Sequence, residues 1–86
     1  MNITEIETEL ENVIRYFFEQ NKVNIDFNEI VKATGRENKQ EALRCIDLMI
    51  NSEYVTKYTD GEYQSYELTA KARDYYYAKD KTEDIF

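Results

Sequence analysis

The apolar pattern of these 86 residues changes its period once, just after Asn51. Up to that point apolar side chains recur three and four residues apart, as one buried face of an α-helix requires. Beyond it, Val55-Thr-Lys-Tyr-Thr59 and Glu62-Tyr-Gln-Ser-Tyr-Glu-Leu68 are rich in β-branched and aromatic residues. They flank Asp60-Gly61, the strongest short hairpin signal available. The fold class expected is therefore mainly α with a small β-hairpin.

The spacing predicts a first helix from about Thr4 to Glu19, with Ile6, Leu10, Val13, Ile14 and Phe17 on its buried face. Thr4 and Glu7 have capping-box spacing. Phe18 lies off the stripe, placed either to pack on a neighbouring element such as the last helix or to meet a partner. Val23 and Ile25 alternate like a short strand. Asp26 and Glu29 repeat the capping spacing ahead of a short second helix, Phe27 to about Ala33, with Phe27, Ile30 and Val31 inward. Gly35 ends it as a residue free to take positive φ.

Asn38 then caps a third helix running to Asn51. Ala42, Cys45, Ile46 and Met49 form its buried stripe, with Leu43, Leu48 and Ile50 at the shoulders. Gln40, Arg44, Asp47 and Asn51 form a polar ridge opposite. Two helices joined by a tight Gly-containing turn are a helix-turn-helix signature. Thr69 caps a last helix, Ala70 to about Lys81. It carries Tyr75, Tyr76 and Tyr77, which cannot share one side: at least one is buried and at least one faces solvent or a partner.

The full order is helix, short strand, helix, helix, two-stranded wing, helix: one winged helix-turn-helix domain over residues 1–86. From Asn38 to Tyr76 the chain resembles the winged-helix domains of bacterial and archaeal regulators of the MarR and PadR kind. Residues 42–55 resemble a recognition helix running into the first wing strand, and Asp60-Gly61 a wing tip. Leu68-Thr69-Ala70-Lys71-Ala72 resembles the Leu-Thr-x-Lys-Gly exit from the wing. The resemblance implies a transcriptional regulator whose third helix enters the major groove of double-stranded DNA. It implies DNA contacts from Lys39, Gln40 and Arg44, with phosphates met by Arg36 and Lys57. Arg and Gln can each pair bidentately with a base edge. The long extra helices through which MarR proteins dimerise are missing, so a homodimer must use the first or last helix, with Tyr75, Tyr76 and Phe86 as candidate contacts.

Charge opens a second expectation. The net charge is −7, from 18 acids and 11 bases. Lys32, Arg36, Lys39 and Arg44 against Glu37 and Glu41 make residues 32–44 weakly basic between two acidic regions. The wing carries Asp60, Glu62 and Glu67, acids that a duplex repels. An acidic winged-helix module binding a protein through those three residues is thus the alternative, in the manner of a phage or mobile-element inhibitor occupying a nucleic-acid site on a host protein. The position after the third helix, Gly in the resembled domains, is Glu53. That turn is either built differently or strained by roughly 1 kcal/mol.

Enzyme chemistry has little to stand on. There is no His and a single Cys, so His-containing triads and zinc sites are excluded. Cys45 lies on a buried stripe and reads as a structural thiol. Two glycines make no phosphate loop. Glu5, Glu7, Glu9 and Glu11 read as a solvated acidic helix face. No catalytic residue, metal site or cofactor is expected. No apolar run approaches the roughly 20 residues of a membrane span, and the expected address is cytoplasmic.

Overall fold

A 3-10 turn, Ile3–Ile6, leads into α1, Glu7–Glu19, in a computed structural model that describes the backbone of residues 3–84 and the side chains of residues 5–78. Then follow β1 (Asn24–Ile25), α2 (Phe27–Thr34), α3 (Lys39–Asn51), β2 (Val55–Asp60), β3 (Tyr63–Leu68) and α4 (Ala70–Asp84). The chain is mainly helical with a small three-stranded antiparallel sheet of order β1-β3-β2. The hairpin thus gains a third strand. Ile25 pairs with Tyr66 and Asn24 with Glu67.

The hairpin register runs from Val55 opposite Leu68 to Asp60 opposite Tyr63, so the loop is Gly61-Glu62 and not Asp60-Gly61. Of these two, only Gly61 has positive φ, at 62°, the sign pattern of a type II′ turn.

The core forms where α1, α2 and α3 meet the inner face of the sheet. Leu10, Val13, Ile14 and Phe17 of α1, Ile30 of α2, and Ala42, Cys45, Ile46 and Met49 of α3 are buried together with Val55 and Tyr66. Each buried aliphatic side chain of this size contributes about 1.5–3 kcal/mol by leaving water. Cys45 belongs to this layer, and burial pushes its thiol pKa up, which suits a structural sulfur and not a nucleophile.

Local signals end the helices as their residues dictate. Asp26 and Glu29 form a reciprocal capping box, and Gly35 closes α2 in the left-handed region at φ 71°. The Thr4 side chain of the capping box expected for α1 lies outside the described residues. The cap position of the helix is Ile6, with no side-chain cap bond. The Glu7 carboxylate accepts from the Tyr75 hydroxyl at 2.9 Å, tying α1 to α4. Phe18 stacks on Tyr76 with ring centroids 5.2 Å apart, so it packs on the last helix as one of its two readings had it. Tyr75 and Tyr76 are half-buried and Tyr77 is exposed. Phe86 lies outside the described residues.

The end of α3 decides how the wing leaves it. Glu53 N–H donates to the Ile50 carbonyl at 3.0 Å and Tyr54 N–H to the Met49 carbonyl at 2.8 Å, a Schellman closure. That closure demands a left-handed residue, and Glu53 supplies it at φ 67°. The start of α4 then bolts onto this turn. Thr69 Oγ1 donates to the Glu53 carbonyl at 2.6 Å, and Lys71 Nζ to the Ser52 carbonyl at 2.8 Å. Lys71 Nζ also sits 4.6 Å from the Tyr54 ring centroid. Glu53→Gly should therefore stabilise the fold by about 1 kcal/mol. A melting experiment should show a rise of roughly 4–8 °C; an unchanged or lower midpoint would mean that the turn carries no strain.

Burial, followed by the hydrogen bond to Glu7, raises the Tyr75 pKa from 10.0 to about 12. A phenol that holds its proton more tightly when folded adds stability below pH 10 and loses it as pH climbs toward 12. Tyr75→Phe should accordingly flatten the alkaline limb of the stability curve between those values. Equal slopes in the two proteins would contradict this.

Candidate nucleic-acid interface

Three local devices aim α3. The capping box starts α2, the left-handed Gly35 turns the chain, and Asn38 accepts from the Gln40 N–H at 2.9 Å to start α3. Burial of Ala42, Cys45, Ile46 and Met49 then fixes the rotation of the helix about its axis. Gln40, Arg44, Asp47 and Asn51 are exposed in consequence. That ridge stands as its spacing predicted.

The structure divides the five predicted DNA contacts between two flanks of α3. On the sheet side, Lys39, Gln40 and Leu43 meet Phe27, Gln64 and Tyr66 across an open groove of about 330 Å³. Lys57 lies opposite Tyr66 in the hairpin register, and paired residues share a face. Lys39, Gln40 and Lys57 therefore border one side. Asp47 lies close enough to this side that its charge adds to burial in raising the Tyr66 pKa. On the α1 side, Arg36, Glu41, Arg44 and Cys45 line a recess with Glu5 and Ile6.

That second flank holds ion pairs. Arg36 is bonded to Glu9 and lies 3.8 Å from Glu41. Arg44 donates to the Glu5 carboxylate at 3.3 Å. Glu9 is 8% exposed although it is charged. Its hydrogen bond, with the field of the carboxylate, raises the Arg36 pKa further. Two cations assigned to DNA thus already face carboxylates of their own chain, and of those two pairs only the Arg44–Glu5 pair is exposed on both sides. Of the acids expected on a solvated face, Glu5 and Glu7 are exposed yet each holds a tertiary partner, whereas Glu9 is buried against Arg36.

The three wing acids do not form one cluster. Asp60 and Glu62 lie at the hairpin tip, whereas Glu67 sits five residues along β3 from Glu62, roughly 17 Å away. Glu67 is half-buried opposite Thr56 and beside Asn24. Exposed Tyr58 and Tyr63 lie on the outer sheet face with it.

A second polar centre was not anticipated from the sequence. Glu29 caps α2 and also accepts from Lys22 Nζ and from the Tyr16 hydroxyl at 3.1 Å. The Lys22 hydrogen bond is the main cause holding the Glu29 carboxyl below its usual range. The capping spacing identified Glu29 itself; its two further partners come from the packing of α1 on α2. Glu9 had a weaker signal: it stands one helical turn before Val13, on the shoulder of the buried stripe.

Among the described residues no three His, Cys, Asp or Glu side chains converge as metal ligands, and no helix is long and apolar enough to cross a membrane. The chain matches no protein-family model, and no curated protein is similar to it in sequence.

The Glu9–Arg36 pair should respond asymmetrically to substitution. Glu9→Leu exchanges a buried charge for apolar surface and leaves an arginine that water can reach, so stability stays within about 1 kcal/mol of the wild type. Arg36→Met strands a buried carboxylate, and its melting midpoint should fall below that of Glu9→Leu. Equal losses in the two variants would contradict this assignment.

Proposed function

We propose that the chain is a winged helix-turn-helix domain that binds double-stranded DNA, with α3 in the major groove and the β2–β3 hairpin as its wing. The element order and the placement of β1 against β3 support the winged-helix reading. One observation carries the functional one: Lys39 and Gln40, in the first turn of α3, share a side with Lys57 and Gln64 of the wing. Recognition helices read bases from their N-terminal turns. Gln40 offers the amide that pairs with adenine, and the two lysines offer phosphate contacts.

The net charge of −7 sets the strength. A monomer with few phosphate contacts and a repulsive background binds weakly and only at low salt. A homodimer on a two-fold site would double those contacts. The half-buried rings of Tyr75 and Tyr76 already pack inside the protomer, which leaves Tyr77 and Phe18 as the exposed aromatics at that end. We read the chain as a regulator and a binding module, not an enzyme.

A second reading has its own observation. Leu43 is 45% exposed in the middle of the α3 face, beside Phe27 and Tyr66, and the wing tip carries Asp60 and Glu62. An apolar side chain set in a groove with acids at the nearby tip suits a protein partner.

Titration of a labelled mixed-sequence duplex separates the two. Binding should appear at low salt, and Lys39→Gln and Lys57→Gln should each weaken it and reduce the slope of log K against log salt by about 0.9. Gln40→Ala should change the preferred sequence more than the salt slope. No binding at low salt removes the DNA reading, and the protein reading takes its place.

A further inference from the structure

The groove beside the wing holds one side chain that phosphate contacts do not use, Leu43. The stripe that buries Ala42, Cys45, Ile46 and Met49 leaves it on the shoulder of α3, where it is 45% exposed. Among the described residues it is the one large apolar side chain of α3 that stands exposed. Lys39 and Gln40 lie about one turn before it, and Gln64 comes to the same groove from the wing. Those three neighbours are exposed, whereas Phe27 is half-buried and Tyr66 buried. The accessible rim is therefore cationic and amide-bearing, with a single aliphatic tip. A protein partner is met by a wider apolar patch with several anchors. One aliphatic tip beside an amide matches the major-groove edges of A·T pairs, which carry adenine N6 and N7 and the thymine C5-methyl group.

We propose, on the DNA reading above, that Leu43 reads the C5-methyl group of a thymine next to an adenine read by Gln40. The domain then prefers duplexes that contain an adenine–thymine step. Gln40 and Leu43 are three residues apart, so they share a side of α3 and differ by roughly 4.5 Å along its axis. Stacked base pairs are about 3.4 Å apart along a strand, so the two side chains address successive pairs. The amide of Gln40 takes both N6 and N7 of adenine. Leu43 offers no hydrogen-bonding atom to the next pair, and thymine alone presents an apolar group there. A G·C pair in that place would press the cytosine N4–H or the guanine O6 against a hydrocarbon, without water and without a partner. Lys39 and Lys57 border the same side and supply the attraction to the backbone that brings the bases within reach.

The probe is a duplex of strictly alternating adenine and thymine, compared at low salt with the same duplex carrying deoxyuridine for thymine. Every register of the first offers a thymine methyl beside an adenine. The second lacks the methyl and keeps every hydrogen-bonding group. The wild type should bind the thymine duplex roughly three- to fivefold more tightly, as removal of one methyl group from water implies. Leu43→Ala should bind the two duplexes alike with an unchanged salt slope, because the lost contact carries no charge. Leu43→Met, which keeps apolar surface of similar volume, should retain most of the discrimination. Lys39→Gln should weaken binding to both duplexes and leave their ratio intact. The thymine contact is overturned if the wild type binds both duplexes alike, or if its preference survives in Leu43→Ala. Equal binding that still weakens on Lys39→Gln removes only this contact and leaves the DNA reading standing. Absence of binding to either duplex at low salt removes the DNA reading and the contact together, and leaves Leu43 to a protein partner.

Discussion

Burial of the α3 stripe against α1 and the sheet governs everything else in this chain. Ala42, Cys45, Ile46 and Met49 leave water together, and their position on the helix leaves no freedom in which side chains face outward. A domain of this length exposes much of its surface and has a small core, so it cannot spare one of its few apolar stripes. The rotation of α3 is therefore as fixed as its existence. The exposed ridge, the groove beside the wing and the recess beside α1 are all consequences of that single packing decision.

The same packing explains what an acidic protein does with its carboxylates. Glu7, exposed, and Glu9, buried, bind groups of their own chain, the Tyr75 hydroxyl and Arg36, and Glu29 is shared between Lys22, Tyr16 and the α2 cap. These acids hold elements together that the modest core alone joins less firmly. The weakly basic segment 32–44 is thereby divided. Its arginines face α1 and its carboxylates, while Lys39 faces the wing together with Gln40. The surface proposed to meet DNA is smaller than the sequence suggests, and Asp47 beside it and Asp60 and Glu62 at the wing tip weaken its hold on phosphate.

Local chemistry was legible in the sequence where one short segment decides the outcome. The Asp26–Glu29 box, the left-handed Gly35, the Asn38 cap and the α3 stripe all depend on residues within a turn or two of each other. The conformation of Glu53 was legible as one of two outcomes, and strain was the one realised. The hairpin loop differs from the expected Asp60-Gly61 for a definite reason. Loops at Asp60-Gly61 and at Gly61-Glu62 give registers that differ by two residues, so both keep Tyr66 on the inner face. Alternation cannot choose between them; the turn geometry at Gly61 does. The ion pairs Glu9–Arg36 and Glu5–Arg44 have no signal in the sequence because their members lie 27 and 39 residues apart in the chain. Helical periodicity assigns a residue to a face and says nothing of what another helix brings to it.

The central claim is that the sheet-side flank of α3, with the facing strand of the wing, is the surface that meets a duplex. Backbone amide shifts recorded while a short duplex is titrated into labelled protein at low salt test it residue by residue. The account predicts that the largest changes fall on residues 39–44 and on Lys57 and Gln64, with α4 and the Phe18 region unmoved. Changes centred on Phe18, Tyr76 and Tyr77, or none anywhere along α3, would contradict it.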